Sequence, residues 1–208
     1  MQKRWLIGGI IMSNRALRGP CTWAVAAVLA AALTGCGDDT VDLACSDYFT
    51  TTASQLTEKA PGILHDPETN LLWFRCNLGQ TYVDGNCVGE ALNDDFASIL
   101  ADLEALSKDD SMVLVSNTAD RSGKLDASDI NWRVPTEGEY DSLTDVPCHS
   151  PKVDVTGFLD IKTDTYYWSS SEGKNDTYAC ATRLNDGLRT CQTKKTNRNP
   201  TLLVASAQ

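Results

Sequence analysis

Apolar residues between Glu90 and Lys108 recur at helical spacing, at Leu92, Phe96, Ile99, Leu100, Leu103 and Leu106, with Asp94, Asp95, Asp102 and Glu104 on the other positions. That period predicts an amphipathic helix with one packed and one solvated face. Elsewhere the apolar runs are short. Gly62-Ile63-Leu64-His65 and Leu71-Leu72-Trp73-Phe74-Arg75 flank the turn-forming Asp66-Pro67-Glu68-Thr69-Asn70 and read as a hairpin. Further strands are expected over Tyr166 to Ser171, Tyr178 to Leu184, Leu188 to Thr193 and Thr201 to Ala205. Two of these are joined by Asn185-Asp186-Gly187, where Asp-Gly suits a hairpin because both turn positions tolerate positive φ. Thr136-Glu137-Gly138-Glu139 follows Pro135 and matches a capping box, which starts a short helix through Leu143. Residues 37 to about 61 are polar, include a threonine run at 50–52, and read as a tether with its first fixed point at Cys45. Lys108 to Asn131 mixes charge, serine and glycine and reads as a loop around a short apolar stretch, Met112 to Val115. With most strands in the second half, the fold class is α+β.

The N-terminal pattern is different. Cys21 to Leu33 is a 13-residue uncharged apolar run, preceded by Arg15 and Arg18 and followed by Thr34 and Gly35. This is the architecture of a secretory signal over residues 1–35, and the run is short of the roughly 20 apolar residues a spanning helix needs. A second apolar patch before Met12 suggests that translation starts at Met12. Leu33-Thr34-Gly35-Cys36 resembles the bacterial lipobox, which implies cleavage before Cys36 and lipidation of its sulfur and amino group. Several acyl chains at about 0.8 kcal/mol per buried CH2 anchor a protein stably where one does not. The membrane is then the first expected partner, through lipid on Cys36. Gly37 after the cysteine favours the outer membrane, and Asp38 and Asp39 keep the inner membrane open.

Removing Cys21 with the leader and assigning Cys36 to lipid leaves Cys45, Cys76, Cys87, Cys148, Cys180 and Cys191. An even six in an exported chain predicts three disulfides. Cys76 and Cys87 share with Cys180 and Cys191 the same spacing around a turn-rich segment, and the second pair sits symmetrically about Asp186-Gly187. Cys45 with Cys148 follows by elimination. A zinc site is not expected, because no C-x-x-C occurs and an oxidising compartment removes free thiolates.

Charge narrows the partners. Residues 1–35 hold four basic and no acidic residues, and the remainder holds 14 basic against 28 acidic, a formal −14, so nucleic acid is not an expected partner. The acidity is uneven. Lys174, Arg183, Arg189, Lys194, Lys195 and Arg198 face only Asp176 and Asp186 over residues 174–198, a local +4, whereas residues 36–173 hold 8 basic and 26 acidic residues. This basic hairpin is the candidate ligand-binding surface, and its competing explanation is a face that complements the protein's own acidic half. A calcium loop placed with Gly123 at its sixth position sets Asp120, Ser122, Asp126 and Asp129 at ligand positions, but Thr118 stands where a carboxylate is required. The segment therefore reads as a solvated acidic loop, with Asp120, Asp126 and Asp129 as its metal candidates. No catalytic residue and no cofactor is expected: Ser169, Ser170 and Ser171 alternate on a strand, His65 and His149 lie in no nucleophile motif, and Asp66 and Glu68 lie in a turn. Asn175-Asp176-Thr177 matches a glycosylation sequon but is assigned no role in a chain with a bacterial lipobox.

Four stretches together resemble one family: Asp66-Pro67-Glu68-Thr69-Asn70-Leu71-Leu72-Trp73, Cys76-Asn77-Leu78-Gly79-Gln80-Thr81-Tyr82, Asn131-Trp132-Arg133-Val134-Pro135-Thr136 and Tyr166-Tyr167-Trp168-Ser169-Ser170-Ser171. In order and spacing they are similar to the Lcl C-terminal domain, named for the end of a collagen-like bacterial adhesin, across about Ile63 to Ala205. The resemblance implies a C-type lectin-like domain over 62–208, with two helices around a twisted antiparallel sheet whose first and last strands pair. Trp73, Trp132 and Trp168 are expected in the core, and Arg133 is expected to pair with Glu139 or Asp141 and pin the second helix. The chain carries no collagen-like repeats and no Glu-Pro-Asn, Gln-Pro-Asp or Trp-Asn-Asp, which argues against calcium-dependent sugar binding. The expected function is therefore an envelope-anchored, non-catalytic binding domain for an anionic polysaccharide or another anionic envelope or host component. Its alternatives are a structural envelope protein working through protein contacts and, further off, an enzyme on a lectin-like fold.

Overall fold

The computed structural model describes residues 42–108, 114 and 130–207, all within the compact unit Gly37–Gln208. The leader, Cys36 and the loop candidates Asp120, Asp126 and Asp129 lie outside the described residues. Among those described, α1 (Cys45–Thr51) leads into β1 (Thr57–Ala60), β2 (Ile63–Asp66), β3 (Leu71–Phe74), β4 (Thr81–Val83) and β5 (Asn86–Val88). Then come α2 (Phe96–Lys108), α3 (Glu137–Thr144), β6 (Tyr167–Glu172), β7 (Tyr178–Arg183), β8 (Leu188–Lys194) and β9 (Val204–Ser206). The class is α+β, and every strand pair within the sheets is antiparallel.

The central sheet has the order β1-β2-β3-β9. Its β3 reads Leu-Leu-Trp-Phe without alternation because both faces are covered. Leu72 and Phe74 pack with Ile99, Trp132 and Trp168 on one side, and Leu71 and Trp73 pack with Tyr140, Leu143, Phe158 and Tyr167 on the other. The three tryptophans are core residues, at 0% exposure for Trp73 and Trp168 and 6% for Trp132. Trp168 Nε1 donates to the Asp94 carbonyl at 2.9 Å, which ties β6 to the segment before α2.

Four expectations change. The segment read as a tether carries α1 and β1, because β1 pairs with β2 through its backbone and needs only Ala60 buried, so a polar sequence suffices. α1 is held by Cys45 N–H to the His149 carbonyl at 2.8 Å and by the Cys45–Cys148 disulfide. Three helices are therefore present among the described residues where two were implied. The amphipathic helix starts at Phe96 and not at Glu90, since Asp95 Oδ1 accepts from Ser98 N–H at 3.0 Å and caps it, while Leu92 N–H and the Asp94 carbonyl bond to Leu78 and Asn199. Ile99 is fully buried on that helix, and Leu100 is 41% exposed on the other side. Finally, β9 pairs with β3 and not with the first strand, in the register Leu72 to Ala205 and Trp73 to Val204.

The remaining strands form β4-β5 and β6-β7-β8. Disulfides staple both: Cys76–Cys87 reaches β5 and Cys180–Cys191 crosses from β7 to β8. α3 starts at the capping box, with Thr136 Oγ1 accepting from Glu139 N–H and the Glu139 carboxylate accepting from Thr136 N–H at 2.7 Å. Arg133 donates through both guanidinium nitrogens to the same carboxylate, and this Arg133–Glu139 pair joins α3 to the strand-like segment before it. Among the described residues no helix is long and apolar enough to cross a membrane.

Candidate functional site

The six cations expected on the C-terminal hairpin divide into two groups. Arg183 closes on Asp186, three residues away across the β7–β8 turn, and its guanidinium also lies 5.5 Å from the Tyr166 ring. The Arg183 hydrogen bonds hold the Asp186 carboxyl below its ordinary range. Arg189 bonds Asp141 of α3 and approaches Glu137 at 3.9 Å. Arg198 pairs with Asp94 at 3.5 Å and donates to the Asn93 carbonyl at 2.9 Å. Arg189 and Arg198 thus complement the protein's own acidic half, and Arg183 pairs within the hairpin.

The three lysines differ. Among the described residues Lys174, Lys194 and Lys195 have no carboxylate partner. Lys174 Nζ lies 4.5 Å over the Tyr178 ring and 3.3 Å from Gln192 Oε1. Tyr178 faces Lys194 in the β7–β8 register, so their side chains share one face of the sheet. Lys195, whose N–H donates to the Thr177 carbonyl, lays its ammonium 5.5 Å from the Phe96 ring. The sheet end beside the 173–177 turn therefore presents a small cationic and aromatic surface, with Asp176 in the turn. Neither Tyr178 nor Phe96 was expected on this surface; the cross-strand register that brings Tyr178 to Lys194 was the available signal.

The groups considered for catalysis have structural partners. Ser171 Oγ accepts from Glu137 N–H at 2.9 Å, and Ser169 Oγ accepts from Ser171 N–H at 3.1 Å. Asp66 closes its turn by accepting from Glu68 N–H at 2.9 Å and from Thr69 Oγ1 at 2.6 Å. His65 Nε2 lies 3.2 Å from Asn70 Oδ1, and His149 contacts Ser150 and Asp42. Asn175 Oδ1 accepts from Thr177 N–H at 3.0 Å, so the sequon asparagine shapes the same turn that displays Lys174.

One concave feature was not foreseen. A cleft of about 180 Å3 opens between α1, the chain following it, the β2–β3 turn and the C-terminal end of α3. Asp66, Glu68, Asp145 and Asp154 line it, and among the described residues no lysine, arginine or histidine does. Its residues run from Tyr48 to Asp154, and the Cys45–Cys148 bond that gathers them was the sequence signal for it.

With this geometry in hand, comparison with known proteins matches residues 62–205 to the family model described as the Lcl C-terminal domain. No curated protein and no solved structure matches the chain.

Proposed function

The chain belongs to the Lcl C-terminal domain family, and on that premise we propose that it is a lipid-anchored envelope protein whose lectin-like domain binds an anionic ligand without catalysis. The family suggests a surface or binding type of domain; the ligand class is our reading. One observation carries it: Lys174 and Lys194 share the Tyr178 face at the end of the β6-β7-β8 sheet, Lys195 follows at the strand's end against Phe96, and none of the three has a carboxylate partner among the described residues, although the chain after residue 35 is formally −14. In so acidic a chain, three lysines without ion pairs are cations available to a ligand. Tyr178 adds a flat face against which a sugar ring or an acyl substituent packs, while Lys174 and Lys194 reach carboxylate or sulfate groups.

The anchor is the Cys36 lipid, with the outer membrane as the favoured location. The Cys45–Cys148 staple ties the chain that follows the anchor to the folded domain. A non-catalytic role is favoured by the serine and aspartate partners described above, all of which are backbone or turn groups. Fold alone does not assign a ligand, so the test is direct. The full chain carrying Cys36→Ser, which removes the lipid acceptor, is applied to an array of sulfated, carboxylated and neutral polysaccharides with calcium and with chelator. The expected result is retention on anionic glycans that survives chelation and weakens steeply with salt. Retention lost on chelation would transfer the site to the acidic loop of Asp120, Asp126 and Asp129. Absence of any glycan retention would sink the reading and favour a role in protein contacts.

A further inference from the structure

The acidic cleft is separate from the lysine surface and has the opposite charge. Its walls bring Tyr48 and Phe49 of α1 together with Asp66, Glu68, Asp145 and Asp154. Asp154 is 6% exposed. Its Oδ1 accepts from Thr156 N–H at 2.9 Å and from Thr156 Oγ1 at 2.7 Å, but its Oδ2 is buried with no partner among the described residues. A buried carboxylate oxygen without a donor is costly, and native proteins leave few such groups unless something else satisfies them. Asp66, equally buried, differs in having both oxygens bonded within its own turn. It contributes negative charge and no free acceptor.

Two further features give the cleft its sign. α3 points its C-terminal end at the cleft through Ser142 and Leu143, with Asp145 as the capping position and no basic residue in the last turn. The unpaired carbonyls of a helix end carry partial negative charge, which favours a cation. The cleft residues supply none of their own.

The class of cation follows from what is absent and what is present. Among the described residues the only three ligating atoms of Asp, Glu, His or Cys that gather within 4.8 Å belong to Glu137, Cys180 and Cys191, two of which are joined in a disulfide. The cleft carboxylates therefore do not form a shell for a bare metal ion. They are instead interleaved with Leu56, Val146 and the Tyr48–Phe49 pair, whose rings meet edge to face at 5.1 Å. Aromatic faces and aliphatic walls suit an ammonium carried on a hydrocarbon stem. A volume of about 180 Å3 is below the range of drug-sized pockets and matches a short stem.

We propose that this cleft binds an alkylammonium group with a short aliphatic stem, the ammonium engaging Asp154 and the acidic rim and the stem lying on Leu56 and the α1 aromatics. A free diamine and a lysine side chain offer the same chemistry. Titration of the full chain with 1,5-diaminopentane and, separately, with Nα-acetyl-lysine methylamide distinguishes them, read by calorimetry and by amide NMR shifts. Saturable shifts confined to residues 48–56, 66–68 and 142–154 with either probe are expected; the probe that binds more tightly identifies the source. Asp154→Asn should weaken binding about tenfold, the loss of one charge-assisted hydrogen bond. Because a buried substitution can also disturb folding, the exposed rim variant Glu68→Gln with Asp145→Asn is measured alongside and should weaken binding by a few-fold and flatten its salt dependence. Lys174→Gln should leave amine binding unchanged. The proposal is overturned if neither probe shifts the cleft resonances, if the rim variant binds with unaltered affinity and salt dependence, or if calcium alone saturates the same resonances and excludes the amines.

Discussion

Glu139 serves two elements with one carboxylate, accepting from both Arg133 nitrogens while closing the capping box on Thr136. The Arg133 hydrogen bonds hold its acid below the ordinary glutamate range against the opposing effect of burial, and the weaker Thr136 hydrogen bonds add to them. A lowered folded-state pKa contributes stability that is complete above the unfolded value and is lost as pH falls through the folded one. Glu139→Gln keeps the shape and removes the charge, so it should cost about 1 to 2 kcal/mol at neutral pH, a range that allows for the partly exposed guanidinium. In urea titrations the gap between the two proteins should narrow as pH falls through and below the ordinary glutamate range; a gap independent of pH would contradict the ion-pair account. Tyr140 carries the opposite linkage. Its hydroxyl lies 3.3 Å from Thr201 Oγ1 and accepts from Leu202 N–H at 3.2 Å, and burial pushes its acid well above the usual phenol range. Its contribution is complete below about pH 10 and lost as pH rises toward the folded value. Tyr140→Phe should therefore cost about 1 to 3 kcal/mol at pH 7, because it strips the Leu202 N–H of its acceptor, and should reduce the alkaline loss of stability.

At the scale of elements, the disulfides differ in what they hold. Cys45–Cys148 closes a separation of 103 residues and Cys76–Cys87 one of 11. Chain entropy gives about 4 to 5 kcal/mol for the first and about 3 for the second. Replacing Cys45 and Cys148 by alanine should thus destabilise more, and hydrogen exchange should quicken first in α1, which that bond fixes; uniform quickening across β3 and β9 would show that α1 is not a separable element. The elements with strong local signals were legible in the sequence: the capping box of α3, the apolar face of α2, the β2–β3 hairpin and the Asp186-Gly187 turn. The β4–β5 hairpin had the same kind of signal in Asp84-Gly85, whose φ values are +46° and +89°, and it was hidden because each strand has only three residues. α1 and β1 gave no periodic pattern, since they are held by a disulfide and by backbone pairing and not by an apolar stripe. Gly62 sits at φ +75°, and a Cβ there would meet the Tyr82 ring at 2.8 Å. Gly62→Ala should destabilise the β1–β2 turn by about 1 kcal/mol or more in equilibrium unfolding.

Across the whole molecule, charge is arranged in a way composition could not reveal. The basic hairpin was visible as a run of cations, but which of them remain available to a ligand depends on folding. Carboxylates of α3 and of the segment before α2 engage Arg189 and Arg198, Asp186 engages Arg183, and Lys174 and Lys195 are left beside aromatic rings. The acidic cleft was invisible for a related reason: its carboxylates are scattered from Asp66 to Asp154 in a sequence rich in acids throughout. The central claim is that anion recognition belongs to the lysine surface and not to net hairpin charge, and two triple variants of equal charge change separate these. The full chain with Lys174, Lys194 and Lys195 changed to glutamine is compared with one in which Arg183, Arg189 and Arg198 are changed to glutamine, each titrated with a sulfated polysaccharide at several salt concentrations. The lysine variant should lose most of its affinity and salt dependence while the arginine variant keeps both, apart from a stability loss read separately by thermal unfolding. Equal losses in the two variants, or a greater loss with the arginines, would contradict the account.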